Sequence, residues 1–124
     1  MRIWIPAKFP SLNEYINAER RNRFLGAKMK KEWTELVRQE VELFVRYNRD
    51  NDYVPITDFP VGIKFIVHEQ NTRRDIDNVS SMVAKFCQDG LVQAGVLPDD
   101  SQKYINKLEF EFIIDGTNGV EIIL

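Results

Sequence analysis

The segment Arg73-Arg74-Asp75-Ile76-Asp77-Asn78 carries the densest chemistry in the chain: two carboxylates two residues apart, an amide behind them and two guanidinium groups in front. Residues at i and i+2 lie about 200° apart on a helix but on one side of an extended strand. Asp75 and Asp77 therefore aim at one point if the chain enters the next helix extended, with Ile76 turned toward the core. A second acidic pair stands in Pro98-Asp99-Asp100-Ser101, and the two pairs flank a single amphipathic stretch. A bend at Gly95 and Pro98 is expected to bring Asp100 back toward Asp75 and Asp77.

Two like charges about 5 Å apart repel by roughly 3 kcal/mol at an effective dielectric near 20, so three converging carboxylates need a counter-charge. Arg73 and Arg74 can supply it, as in a structural network. A divalent cation can also supply it, and oxygen-only ligands select Mg2+ or Mn2+ rather than zinc. Open coordination positions then take water and a phosphate oxygen, the arrangement used in metal-assisted phosphodiester hydrolysis. The competing reading is local: Asp77 or Asn78 caps a helix whose positive end suits Asp75 and Asp77, and Pro98-Asp99 makes a turn.

Other candidates have the same double character. Asn78, Lys85 and Asp89 project within about 40° of one another at ~100° per residue. Lys85 either stabilises charge developing on a phosphate or pairs with Asp89 on the surface. His68, the only histidine, is a general base at a strand end or a structural imidazole. Cys87 falls in an apolar stripe and reads as a packed thiol. The net charge of −2 divides into +5 over residues 1–49 and −7 over residues 50–124. The basic excess sits in Arg20, Arg21, Arg23, Lys28, Lys30 and Lys31, which either hold phosphates or form a solvated loop. The overall acidity counts against a passive nucleic-acid coat, which is normally basic throughout.

These groups must be held by elements legible from periodicity. Residues 2–5 alternate as a short strand, and residues 7–26, with Pro10, Ser11, Asn13 and Gly26, read as a long loop. Trp33, Leu36, Val37, Val41, Phe44 and Tyr47 share a helical face from about Lys28 to Asn48, ahead of the polar run Arg49-Asp50-Asn51-Asp52. Val61 to Val67 alternates as a second strand, and His68 to Arg74 reads as a connection. A second helix over residues 78–92 has the stripe Val79, Met82, Val83, Phe86, Cys87, Gly90 and Leu91. Leu108, Phe110, Phe112 and Ile114 share a strand face opposite Lys107, Glu109 and Glu111, which face solvent. Asp115 to Gly119 turns into a last strand, predicted as an antiparallel hairpin. The expected fold is a single α+β domain over residues 1–124: a two-layer sandwich with a mixed sheet of about four strands and two main helices on one face, in the order β-α-β-α-β-β. Trp4 covers the other sheet face or joins a subunit contact.

With 124 residues, 44% hydrophobic, the chain can bury one core. One Cys and one His exclude an internal disulfide and a zinc cluster. No apolar run approaches the ~20 residues of a membrane span, and the start lacks the apolar stretch of a signal peptide. A cytoplasmic protein is expected.

Arg73-Arg74-Asp75-Ile76-Asp77-Asn78, Lys85, Asp89-Gly90-Leu91, Ala94-Gly95-Val96-Leu97 and Asp99-Asp100-Ser101 together resemble the RusA family of Holliday junction resolvases. Ile5-Pro6 with Pro10-Ser11-Leu12-Asn13-Glu14-Tyr15 is similar to that family's opening stretch. The matches extend over most of the chain, with gaps in the first helix and the final strands. One departure is visible: Ser81 stands where the best-known members have a lysine three residues after the Asn. Lys85 lies one helical turn later, at the family's distance from Asp89. The resemblance implies a homodimeric, Mg2+-dependent endonuclease of a bacterial cell, phage or prophage (Mn2+ as substitute), acting on four-way DNA junctions without membrane or small-molecule cofactor. It implies Asp75, Asp77 and Asp100 as metal ligands with Asp99 beside them, and Lys85 with them as a catalytic residue. Arg73, Arg74, Arg20, Arg21, Arg23, Lys28, Lys30, Lys31 and Asn13 are the expected DNA contacts. The alternatives are a protein that binds branched DNA without cutting it, and a structural domain whose aspartates only cap helices.

Overall fold

The computed structural model describes residues 1–48 and 53–124. Strand β1 (Arg2–Ile5) leads to helices α1 (Leu12–Arg21) and α2 (Arg23–Asn48), then strand β2 (Val61–Glu69), helix α3 (Ile76–Gln93) and strands β3 (Ile105–Ile114) and β4 (Gly119–Ile123). The fold is the expected α+β sandwich with a four-stranded mixed sheet, with one helix more than the periodicity indicated. The polar run Arg49 to Asp52 lies outside the described residues.

The expected loop over residues 7–26 is replaced by α1 and the start of α2. Ser11 caps α1: its Oγ accepts the Glu14 N–H at 3.2 Å, and Arg20 and Arg21 close the last turn against the negative helix end. Asn22 breaks the helix with an extended backbone, and its Oδ1 accepts the Phe24 N–H at 2.8 Å to start α2. The α1 residues bury no side chain fully, so the apolar period that marks a core helix is weak there. The signal was the Ser11-x-x-Glu14 capping pair.

The sheet order is β1-β4-β2-β3. β4 runs antiparallel to both β1 and β2, and β2 and β3 are parallel, with Phe65 opposite Phe110. The expected β3–β4 hairpin is therefore not formed, because β2 lies between the two strands. The 115–118 turn steps over the end of β2 instead, held there by the Asp115 carboxylate on His68.

The core lies between one sheet face and the helices. Ile3, Ile5, Ile63, Phe65, Val67, Val120 and Ile122 meet Val37 and Val41 of α2 and the full predicted α3 stripe, all buried. Each buried large apolar side chain contributes about 1.5–3 kcal/mol. Phe9, Trp33 and Phe86 form an aromatic run across the helix layer. At Gly90 the two helices touch backbone to side chain: an added Cβ would stand 2.4 Å from Val37 Cγ1. Tyr47, expected in the core, is 76% exposed, since α2 has by then run past the layer it packs on. Cys87 is buried as expected, and burial pushes its thiol pKa up.

On the open sheet face Trp4 covers Gly119, where a Cβ would meet the indole at 2.1 Å, and packs edge-on against His68. His68 is held between two carboxylates. Its Nδ1 lies 2.6 Å from Asp115 and its Nε2 3.1 Å from Glu121. Burial opposes the charged imidazole, yet the two carboxylates outweigh it and raise its pKa above 6.5. The hydrogen bond from His68, with those from Thr117, lowers Asp115 to about 2. The raised imidazole stabilises the fold fully below 6.5 and loses that contribution as pH climbs through its folded value. The depressed carboxylate stabilises fully above 3.8 and loses its contribution as pH falls toward about 2. Urea unfolding midpoints should therefore be highest between these limits and fall above neutrality, and Asp115→Asn should flatten the alkaline fall. An unchanged alkaline slope in that variant would exclude the cluster as its cause.

Candidate functional site

Asp75 is the N-cap residue of α3 with extended backbone (φ −74°, ψ 138°), and Asp77 lies in the first helical turn. The cap expected at Asp77 or Asn78 falls at Asp75 instead, because the helix starts at Ile76, and the Asp75 side chain makes no capping hydrogen bond. Asp77 Oδ1 accepts the Asn78 N–H at 3.0 Å, and the Asp77 carbonyl accepts the Ser81 hydroxyl at 2.7 Å. Both carboxylates are exposed. Ile76 does not turn inward. It is 64% exposed.

Arg74, expected among the DNA contacts, is engaged inside the protein. Its Nε and Nη2 donate to the Glu69 carboxylate at 3.0 and 3.1 Å, and Nη1 donates to the Phe9 carbonyl at 2.6 Å. Glu69, the last residue of β2, is 5% exposed, so this bidentate pair is an internal lock. It ties the entrance of α3 to the end of β2 and to the segment before α1. Arg73 is the exposed arginine of the two.

Asp99 and Asp100 lie at the far end of α3. The Val96 and Leu97 N–H groups donate to the Leu91 carbonyl at 3.0 and 3.3 Å, which holds the turn against the last coil of the helix. The Ser101 carbonyl accepts the Tyr104 and Ile105 N–H groups, and the Tyr104 carbonyl accepts the Val61 N–H at 2.8 Å. Asp100 therefore sits by the start of β2 and β3, whereas Asp75 sits by their ends. The 18 residues of α3 span about 27 Å. The expected return of Asp100 to Asp75 and Asp77 within one chain does not occur. Among the described residues, no three His, Cys, Asp or Glu side chains are grouped to hold one metal ion. Asp99 accepts the Asp100 N–H and the Ser101 hydroxyl, which lower its pKa.

Lys85 stands midway along α3, its Nζ 3.9 Å from Asp89, so the surface-pair reading describes its present contact. Arg20, Arg21, Arg23, Lys28, Lys30 and Lys31 are exposed on α1 and α2, with Asn13 in the first turn of α1. Lys28 pairs with Glu32 at 3.7 Å. Lys30 and Lys31 flank a groove of about 560 Å3 reaching Asp89 and Gln93 of α3. They therefore stand at the Asp100 end of that helix. Two groups here escaped the sequence reading. Phe24, 68% exposed, lies under Arg23 at 5.1 Å and offers a stacking surface. The Thr34 hydroxyl is buried at the groove without a partner among the described residues. Phe24 was signalled by its place within Arg-Asn-Arg-Phe, but Thr34 by nothing local.

These features define a two-layer α+β domain with exposed carboxylates at both ends of one helix and a basic, aromatic corner beside one of them. The family model of the endodeoxyribonuclease RusA matches residues 2–124, and the chain belongs to that family. The family comprises Holliday junction endonucleases acting in DNA recombination. None of the curated proteins compared matches the chain. Among the described residues, no helix is long and apolar enough to cross a membrane.

Removing Arg74 strands a buried carboxylate, so Arg74→Ala should lower the unfolding free energy by about 3 kcal/mol, while Arg73→Ala leaves it nearly unchanged. Denaturant titration checks both. Equal stability of the two variants would return Arg74 to the surface as a phosphate ligand.

Proposed function

We propose that the chain acts as a homodimer that cuts four-way DNA junctions with a divalent cation, Mg2+ or Mn2+, held by Asp75 and Asp77 of one copy and Asp100 of the other. The observation that carries the shared site is the separation of the acidic groups at opposite ends of α3, which a rigid helix enforces. The donor chemistry fits a hard cation: the carboxylates are exposed, and Asp75 is not committed to its cap. A bound cation supplies charge stabilisation at the phosphate and an activated water.

The chain's own residues do the rest. Arg73 and Lys85 hold phosphates on either side of the scissile one, and Lys85 offsets charge building on it. Arg20, Arg21, Arg23, Lys30 and Lys31 grip the backbone of the junction arms, with Asn13 and Lys28 at the margin. Such contacts read shape more than sequence and weaken steeply with salt. Two symmetry-related sites match two strands to be nicked. The place of action is the bacterial cytoplasm, on chromosomal or phage DNA. The Asp75 carboxylate, which makes no capping hydrogen bond, speaks against the purely structural alternative.

The test is a mixing experiment on a synthetic immobile junction with Mg2+. Asp75→Asn and Asp100→Asn should each bind the junction and cut neither strand. Mixed and allowed to exchange, half the dimers pair one variant with the other, and one of their two sites is intact. Nicking should return to about a quarter of the wild-type site concentration. If the three ligands belong to one chain, both sites of every mixed dimer are damaged and no nicking returns.

A further inference from the structure

We infer that the groove between α1 and α2 takes one unpaired deoxynucleotide, with its base on an apolar floor and its phosphate at the Arg21–Lys28 end. The inference rests on the reading that this chain handles branched DNA, whose strand-exchange point is where bases leave their stacks.

The groove measures about 470 Å3. Its floor is apolar, made by Ala18 of α1 with Leu25, Met29 and Trp33 of α2. Trp33 is braced from behind by Phe9 and Phe86, at ring-centroid distances of 4.9 and 6.3 Å. Leu25 is 44% exposed, and Ala18 and Met29 are half-buried, so the chain leaves this floor open.

The walls are polarised. The two helices fold back on each other at Asn22: an added Cβ at Gly26 would meet Glu19, and Tyr15 and Trp33 both pack on Phe86. Arg21 and Lys28 therefore stand toward the turn, and Glu14 and Glu32 toward the far end, with the Asn17 amide between them. Arg21 makes no ion pair among the described residues. Lys28 has only its exposed pair with Glu32 at 3.7 Å, a contact weak enough to yield to a phosphate. Cations, an apolar bed and carboxylate acceptors in that order match the phosphate, the flat faces and the amine edge of one nucleotide.

Size and surroundings select the same occupant. Glu14 and Arg21 are two helical turns apart, about 10 Å. That length suits a single nucleotide and is short for a partner helix of about 10–14 residues. A paired base cannot enter, because its partner and its stacked neighbours keep its faces off the floor. Phe24, 68% exposed and one helical turn before Lys28, offers its ring to the next base, with Arg23 over it. The exposed arginines of this corner accept any DNA backbone; the groove adds a preference for unpaired strands.

The test titrates a single strand of about eight deoxyadenylates into full-length protein isotope-labelled at its methionine methyls. The chain has three methionines, and Met82 lies in the core at 3% exposed. The Met29 methyl signal, identified by its loss in Met29→Leu, should move upfield under the ring current of the bound base while those of Met1 and Met82 stay. A blunt linear duplex of matched length should bind the arginines and leave Met29 unmoved. Ala18→Phe, which fills the floor, should raise the single-strand dissociation constant about 10-fold, and Leu43→Lys, far along α2, should not change it. A single strand that fails to bind or binds without shifting Met29, or a duplex that shifts it equally, overturns the groove and leaves the branched-DNA reading standing if the four-way junction is still bound. A protein that binds single strand, duplex and junction not at all overturns both. Should Ala18→Phe misfold, the Met29 shift of the wild type still decides.

Discussion

Two strands that lie side by side and run the same way cannot be joined by a tight turn. The chain leaving the end of β2 must travel back the length of the sheet before β3 begins, and here it does so through α3. That obligation fixes the distance between the acidic groups. Whatever stands at the entrance of α3 belongs to one end of the sheet, and whatever follows its exit belongs to the other. The Arg74–Glu69 pair anchors the entrance, the bonds onto the Leu91 carbonyl anchor the exit, and the close contact of Gly90 with Val37 holds the helix against α2. With both ends secured, the separation is a property of the rigid fold.

The distribution of charge follows the same frame. The N-terminal half of α2 packs beside the C-terminal half of α3, so Lys30 and Lys31 stand near Asp89 and the Asp100 end. One end of the molecule thus carries a carboxylate pair with a basic flank, and the other carries the Asp75–Asp77 pair with Arg73. Among the described residues neither end alone groups three carboxylates. The chain can be acidic overall and still offer phosphates a cationic path, because screening confines each charge's influence to about 10 Å.

What was legible in the sequence was what local periodicity controls. The seven-residue stripe of α3 is buried to the last member because a helix packed on a sheet must present one continuous apolar face. β3 likewise appeared as a strand with the correct faces. The neighbours of each strand were not legible: alternation makes β3 and β4 look like a hairpin, and only the long-range insertion of β2 shows otherwise. α1 was hidden because a helix that buries no residue leaves little apolar period, although its cap was written in Ser11 and Glu14. At the site, the two acidic pairs and their flanking of one helix were visible. Their failure to meet in one chain was not, since it depends on the parallel pairing of β2 with β3. Arg74 and Arg73 look alike in sequence, and only the buried Glu69 separates the lock from the exposed cation.

The central claim is that the acidic groups of two chains make one cation site. It is tested most directly by counting Mn2+ bound per chain, by electron paramagnetic resonance, through a dilution series that takes the protein from dimer to monomer. Binding per chain should fall in step with the fraction of dimer, because a lone chain offers only part of the ligand set. Mn2+ held as tightly and in the same number by the monomer would contradict the account.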